Sequence, residues 1–243
     1  MKSWSVIAAE LYKQKKGVLW KLAFGGPALV SVLIFLNMSL RYDYLMQRYA
    51  GKTSWEAMLN EVFFLWAFFL PIGVTLLAAI VHFREYSENA WKHLLSLPVR
   101  RGHVYAAKWL VIVLATVLSV LALMAGLWLG GLVIGFPEPF PFGLYGQYAL
   151  YLTFSSLGIA SVQHWLSSRF RNTIIPVAVG VSGTVGAIFL AQSEWMRYIP
   201  YAAPLFTMPG PDGDAGVSIV SGLLFGTAAL LAGMLEFGKR DIL

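Results

Sequence analysis

The stretch REYSENAWKHLLSLPVRRGHVYAAK, residues 84–108, is a charged and amphipathic interruption between two long apolar runs. Tyr86, Ala90, Trp91, Leu94 and Leu95 recur at the three-and-four spacing of one helical face, with Glu88, Asn89, Lys92 and His93 on the other. The spacing predicts a short amphipathic helix over about 86–97. Pro98 ends it, since proline cannot extend the hydrogen-bond ladder and drives Leu97 out of helical geometry. Arg100, Arg101 and Lys108 then give the next apolar run a basic start. Two readings of these residues stand side by side. One is a docking surface for a soluble partner; the other is a helix lying among lipid headgroups, held by Trp91 and its basic neighbours.

Working outward, composition sets the class. Of 243 residues, 58% are hydrophobic and only 12% charged, against about 25% charged in soluble domains. That predicts an all-α polytopic membrane protein. The formal net charge of +6 does not point to nucleic acid, because the basic residues lie in short clusters between apolar runs and read as topology signals. With no cysteine, disulfides, thiolate metal sites and cysteine nucleophiles are excluded. Met1 is followed by lysines at 2, 13, 15, 16 and 21 and then by a run long enough to span, so the first span is expected to stay as an anchor.

Residues 3–12 put Trp4, Ile7, Ala8, Leu11 and Tyr12 on one face and Ser3, Ser5, Glu10 and Lys13 opposite, which predicts an interfacial helix. Six spans of about 20 residues follow, the length that crosses about 30 Å of hydrocarbon. They are expected near 22–40, 62–83, 104–135, 144–166, 174–191 and 216–237, all in one transmembrane domain covering 1–243. All but four of the 18 Lys and Arg residues fall on the side of the amino terminus, which predicts both termini in the cytoplasm.

Three segments are expected on the opposite side. Residues 41–61 mix tyrosines, Trp55 and Met58 with charge and read as a short interfacial helix; FPEPFPF, residues 136–142, reads as a rigid aromatic turn. Residues 197–214, with Pro200, Pro204, Pro209 and Pro211, are too apolar for an ordinary loop and read as a re-entrant element or as an aromatic belt. Gly126 and Gly130, Gly131 and Gly135, and Gly222 and Gly226 have the spacing that brings membrane helices close.

Motifs for chemistry are scarce. GxxxxGK[ST] and HExxH do not occur, so no ATP site, catalytic residue or metal site is expected in the chain. The histidines at 82, 93, 103 and 164 read as interfacial. Glu61, Arg84, Glu85 and Glu236 fall near span ends, and a charge at the bilayer centre costs about 2.5–3.5 kcal/mol. A proton- or sodium-coupled relay through the middle is therefore disfavoured. Mid-span polar residues such as Thr75, Thr116, Ser119, Ser155, Gln163 and Thr184 read as contacts between helices.

The layout and the block E85YSENAWKHLLSLPVRR with Lys108 resemble the membrane subunit of a type-2 ABC exporter. More narrowly, WKHLLSLPVRR (91–101) resembles permeases of lantibiotic-immunity and bacitracin-resistance-type ABC transporters. QHWLSSRFRN (163–172), the proline-aromatic loop at 198–204 and the tail FGKRDIL (237–243) agree with that likeness.

The resemblance implies that the cytoplasmic helix between spans 2 and 3 is a coupling helix seated in a separate ABC ATPase. Glu88, Ala90, Trp91, Lys92, Leu94, Leu95, Pro98 and Arg100 would form the contact, and Glu85 would pair with a nearby basic residue to brace it. It further implies two copies of the ATPase, which holds the ATP and Mg, and a second permease, identical or homologous. The setting would be a bacterial cytoplasmic membrane. The cargo would be hydrophobic or amphipathic, such as an antimicrobial peptide. Two other classes remain open at this point: an intramembrane enzyme, for which no cluster is evident, and a membrane anchor or assembly factor that recruits a partner without being driven by it.

Overall fold

Apolar runs of this length can satisfy their backbone only within themselves when no water is at hand, and helices follow. The computed structural model describes residues 3–87, 100–209 and 215–239. Helix takes up 87% of the described residues and strand none, so the chain is all-α. In order come α1 (Ser3–Gln14), α2 (Val18–Leu40), α3 (Tyr42–Arg48), α4 (Ser54–Ser87), α5 (Arg101–Ile134), α6 (Phe142–Arg169) and α7 (Ile174–Phe189). Two 3₁₀ segments, Glu194–Tyr198 and Pro200–Phe206, lead to α8 (Ala215–Lys239).

Four helices, α2, α4, α5 and α8, are long and apolar enough to cross a membrane. Of the other two expected spans, α6 is 28 residues long but carries Ser155, Ser156, Ser161, Gln163, His164, Ser167 and Ser168, all buried against its neighbours. Helix α7, with 16 residues, is shorter than a full crossing. Leucines and phenylalanines such as Leu36, Phe64, Leu129, Leu224 and Leu235 stay exposed on the flanks, a surface that suits lipid and not water.

The segment 41–61, expected as a short interfacial helix, divides differently. Tyr42–Arg48 is a short helix, but Ser54 already belongs to α4, so Trp55, Met58 and Glu61 lie inside a 34-residue helix. The reason is a capping box: Thr53 Oγ1 accepts the Glu56 amide at 3.2 Å, and Glu56 Oε2 accepts the Thr53 amide at 2.8 Å. Glu61 thus sits two turns into α4, where it accepts from Asn37 Nδ2 at 2.8 Å and the Tyr49 hydroxyl at 2.7 Å.

At the same end, Gly135 closes α5 in the left-handed region (φ 85°) and turns the chain into the aromatic loop. Trp55 plugs that loop: its indole N–H donates to Glu138 O at 2.9 Å, and its ring meets Phe136 and Phe140 edge-on.

One glycine of each of the first two pairs, and both of the third, mark close approaches. Gly126 lies against Ser31, Gly131 against the Trp55 ring, and Gly222 and Gly226 against the α6 backbone. A Cβ on Gly222 would stand 2.7 Å from Phe154 O and 2.8 Å from Ser155 O, both fixed backbone atoms. Gly222→Ala is therefore expected to lower stability by about 1–3 kcal/mol, the usual cost of overpacking. The check is the loss of monodisperse protein on heating in detergent, with Gly216→Ala, where a Cβ meets nothing within 4 Å, as the neutral control.

The segment after α7 turns back into the bundle. Pro200, Ala202, Ala203, Pro204 and Thr207 are buried, and Pro200 packs beside Gly158 at the middle of α6. Tyr201 lies against Gly183 of α7 and hydrogen-bonds Gln163 at 2.6 Å. The Gln163 amide, oriented with its oxygen toward Tyr201, also donates to Pro176 O at 3.1 Å. The 3₁₀ turn is thus held inside protein.

Candidate functional site

The carboxyl-terminal half of α1, the last turn of α4 and the second turn of α5 meet at the basic end of the bundle. Four side chains from these elements form a closed square of alternating charge. Lys108 Nζ lies 2.7 Å from Glu10 Oε2 and 2.8 Å from Glu85 Oε1. Lys13 Nζ lies 2.8 Å from Glu10 Oε1 and 2.8 Å from Glu85 Oε1. Lys108, Glu10 and Glu85 are almost wholly buried, whereas the Lys13 side chain keeps 32% of its surface exposed. Burial works against the charge on Lys13, but the two glutamates outweigh it and raise its pKa above the ordinary lysine value. Arg84 adds a further tie, donating to Lys13 O at 2.6 Å.

A lysine in the apolar stretch of α5 cannot stay charged without partners, and the square supplies them. It also decides which face of α1 turns inward. Val6, Glu10 and Gln14 are buried while Ala8 and Tyr12 are exposed, Tyr12 by 75%. The polar side of the helix expected to lie on the membrane thus packs on the bundle, because Lys108 needs Glu10 and Glu85 as partners.

A second polar layer lies one turn away on α4 and α5, where α6 joins them. His82 Nε2 of α4 and His164 Nδ1 of α6 are 2.9 Å apart, both fully buried, and the Tyr105 ring of α5 packs on His164 with centroids 4.1 Å apart. These two histidines, expected near the membrane interface, are enclosed by protein. They join α4 to α6 inside the bundle. Tyr86 donates to Ser168 O, and Trp165 Nε1 donates to Glu236 at 2.9 Å, extending the polar layer to α8. The only sequence signals for this arrangement were a lysine within an apolar run and two histidines at span ends.

Of the residues expected at the coupling contact, Glu85 and Arg100 are described. Glu85 occupies the last turn of α4 in the square, and Arg100 caps α5 with an extended backbone, exposed. Glu88, Ala90, Trp91, Lys92, Leu94, Leu95 and Pro98 lie outside the described residues, as does the expected helix beyond Ser87. The square thus brackets the segment 88–99: it holds the helix that enters it through Glu85 and the helix that leaves it through Lys108.

The mid-span hydroxyls offer little to a polar substrate. Thr75, Thr116 and Thr184 each donate to the carbonyl four residues back in their own helix at 2.8–2.9 Å, and Ser155 and Ser156 to the carbonyl three back. Among the described residues no group of three or more His, Asp or Glu is placed to hold a metal.

Fold and site together define a polytopic helical membrane protein with a braced polar end. The model of a family described as ABC-2 family transporter protein matches residues 6–187, and the chain belongs to that family. It is thus the membrane part of an ABC transporter, for which the family implies an ABC ATPase partner in general. No curated protein matches the chain.

Proposed function

We propose that the chain is the permease subunit of an ABC exporter, driven by a separate ATPase that docks on the segment 88–99 and pushes through the ion square. The observation that carries this reading is the bracketing of that segment by Glu85 and Lys108 in one buried, fully paired cluster that also holds α1. A force applied to 88–99 reaches three helices at once through short, buried contacts, with little slack to absorb it.

The contact surface is Glu88, Ala90, Trp91, Lys92, Leu94, Leu95, Pro98 and Arg100, with Glu85 as the brace. Residues 1–243 act as one permease domain with six spans, α6 and α7 completing the set with the re-entrant segment behind them. Both termini lie on the cytoplasmic side of a bacterial inner membrane. Two ATPases, which hold ATP and Mg, act on two permeases, identical or homologous. The cargo is hydrophobic or amphipathic, a lantibiotic-type peptide or another envelope molecule, in keeping with mid-span hydroxyls that are spent on their own backbones.

The test is gentle-detergent purification of the tagged chain from its host, followed by reconstitution and ATPase assay with candidate cationic peptides. Recovery of an ABC ATPase whose activity rises with peptide is the expected result. A well-folded chain that brings down no ATPase would refute the exporter reading and leave a membrane anchor.

A further inference from the structure

Residues 1–42 hold six basic side chains and a single acid, Glu10. Glu10 is buried and committed to Lys13 and Lys108. The other carboxylates described at the basic end are committed too, Glu85 to the same two lysines and Glu236 to Trp165 and Arg169. Lys15 and Lys16 lie in the turn between α1 and α2, and Lys21 in the first turn of α2. All three are exposed, and none has a carboxylate partner among the described residues.

Exposed carbon adjoins these cations. The Lys15 ammonium stands 5.9 Å from the centre of the exposed Tyr12 ring. Val18, one turn before Lys21 on the same face of α2, is 62% exposed, and Phe24, one turn after it, is exposed as well. From there the exposed stripe of α2 runs on through Leu29, Val32 and Leu36, and residues 22–40 carry no charge at all. The three lysines therefore head a column of exposed carbon on a helix long and apolar enough to cross a membrane.

That order of charge and carbon selects the occupant. An acidic protein surface or a free phosphate would match the lysines and leave the column beneath them bare. A neutral lipid would match the column and leave the three positive charges without a counter-charge. An anionic phospholipid supplies both, a negative phosphate at headgroup level and a hydrocarbon chain below it. Each lysine held at an anionic lipid surface favours it about fivefold, so three acting together give a preference on the order of 100-fold over a neutral headgroup.

We propose that the corner between α1 and α2 binds an anionic phospholipid, its phosphate held among Lys15, Lys16 and Lys21 and one chain lying along the stripe from Val18 to Leu36. Helix α1 is then gripped from two sides, by the ion square through Glu10 and Lys13 and by the headgroup next to Tyr12 and Lys15. The site goes beyond the transport reading, and its test needs neither nucleotide nor ATPase. The full chain is placed in phosphatidylcholine nanodiscs doped with a photoactivatable lipid that carries a diazirine in one chain and either a phosphoglycerol or a phosphocholine headgroup. Crosslinks are mapped by mass spectrometry.

The phosphoglycerol probe is expected to label residues 18–36 well above the phosphocholine probe, whereas the two label the exposed flank of α8 around Leu224 and Leu231 alike. Lys15→Gln, Lys16→Gln and Lys21→Gln together are expected to abolish that excess, and the corresponding triple change to arginine to keep it. Arg171→Gln with Lys239→Gln, which removes two exposed cations of the same end, is expected to leave it unchanged. On the unaltered chain the excess is expected to fall as salt rises from about 0.1 M to about 1 M, since the screening length drops from about 10 Å to about 3 Å. Equal labelling by the two probes, or an excess indifferent to salt, would overturn the site. So would an equal loss in the Arg171 and Lys239 variant, which would show a diffuse field and no local site. Displacement by soluble glycerol phosphate at the concentration of the lipid would overturn the lipid and leave a phosphate site.

Discussion

Replacing Lys108 by methionine is expected to destabilise the protein by about 3–5 kcal/mol, the range found when one partner of a buried charge pair is removed. The substitution keeps the length and most of the volume of the side chain, so packing changes little. What it removes is the charge between Glu10 and Glu85, which lie 2.7 and 2.8 Å from the Lys108 ammonium. Lys13, partly exposed, is then left alone to balance two buried carboxylates.

Removing Glu10 as well, in Lys108→Met with Glu10→Gln, leaves the pair Lys13 and Glu85 with matched charge. It is expected to recover most of the loss, because neutralising a buried pair together is far less damaging than breaking it. The measurement is thermal loss of monodisperse protein in detergent for the two single variants and the double, read as a double-mutant cycle. A Lys108→Met protein as stable as the parent would show that the square is not formed. A double variant no better than Lys108→Met would show that shape, and not charge, is what Lys108 supplies.

The same square shows what the sequence could and could not reveal. Helices were legible where one apolar run ends in a residue with a backbone reason to end it, as at Gly135 ahead of FPEPFPF. Close helix contacts were legible at Gly222 and Gly226, because a missing side chain is visible in the sequence itself. The start of α4 was readable in principle from T53-S-W-E56, but the aromatic and charged residues around it read as a separate short interfacial helix.

Glu85 was expected to find a basic partner, and it has two; that these are Lys108 and Lys13 depends on elements 23 and 72 positions away in sequence. The packing of α1 against the bundle was not legible for a related reason. Hydrophobicity ranks Tyr12 above Glu10, but only the presence of Lys108 across the bundle decides which is buried. The four helical spans that satisfy length and apolarity were plain. Helix α6 was expected at 144–166 and runs over Phe142–Arg169; what its apolar pattern did not show is the seven buried serine, glutamine and histidine side chains that it carries against its neighbours.

Trp91→Glu is expected to abolish recovery of the ATPase while leaving the permease as stable as its parent. The pairing of these two results separates docking from folding. Trp91 shares a helical face with Ala90, Leu94 and Leu95 in the sequence pattern, and large aromatics at the centre of such faces dominate binding energy in protein interfaces. Removal of such an anchor costs about 2–4 kcal/mol, or roughly 30- to 1000-fold in affinity. Here a buried carboxylate adds a desolvation cost to the lost contact.

Both legs of the segment are held by the square through Glu85 and Lys108, residues that the substitution leaves alone, so the fold has no reason to change. Lys108→Met should behave oppositely in the same experiment, losing stability first and the partner only as a consequence. Equal ATPase recovery with Trp91→Glu and with the parent would remove 88–99 as the docking surface. A fall in permease stability to the level of Lys108→Met would instead place Trp91 in the packing of the bundle, and the route by which force enters the membrane part would have to be sought at another element of the basic end, with the exposed Arg100 as the next residue to substitute.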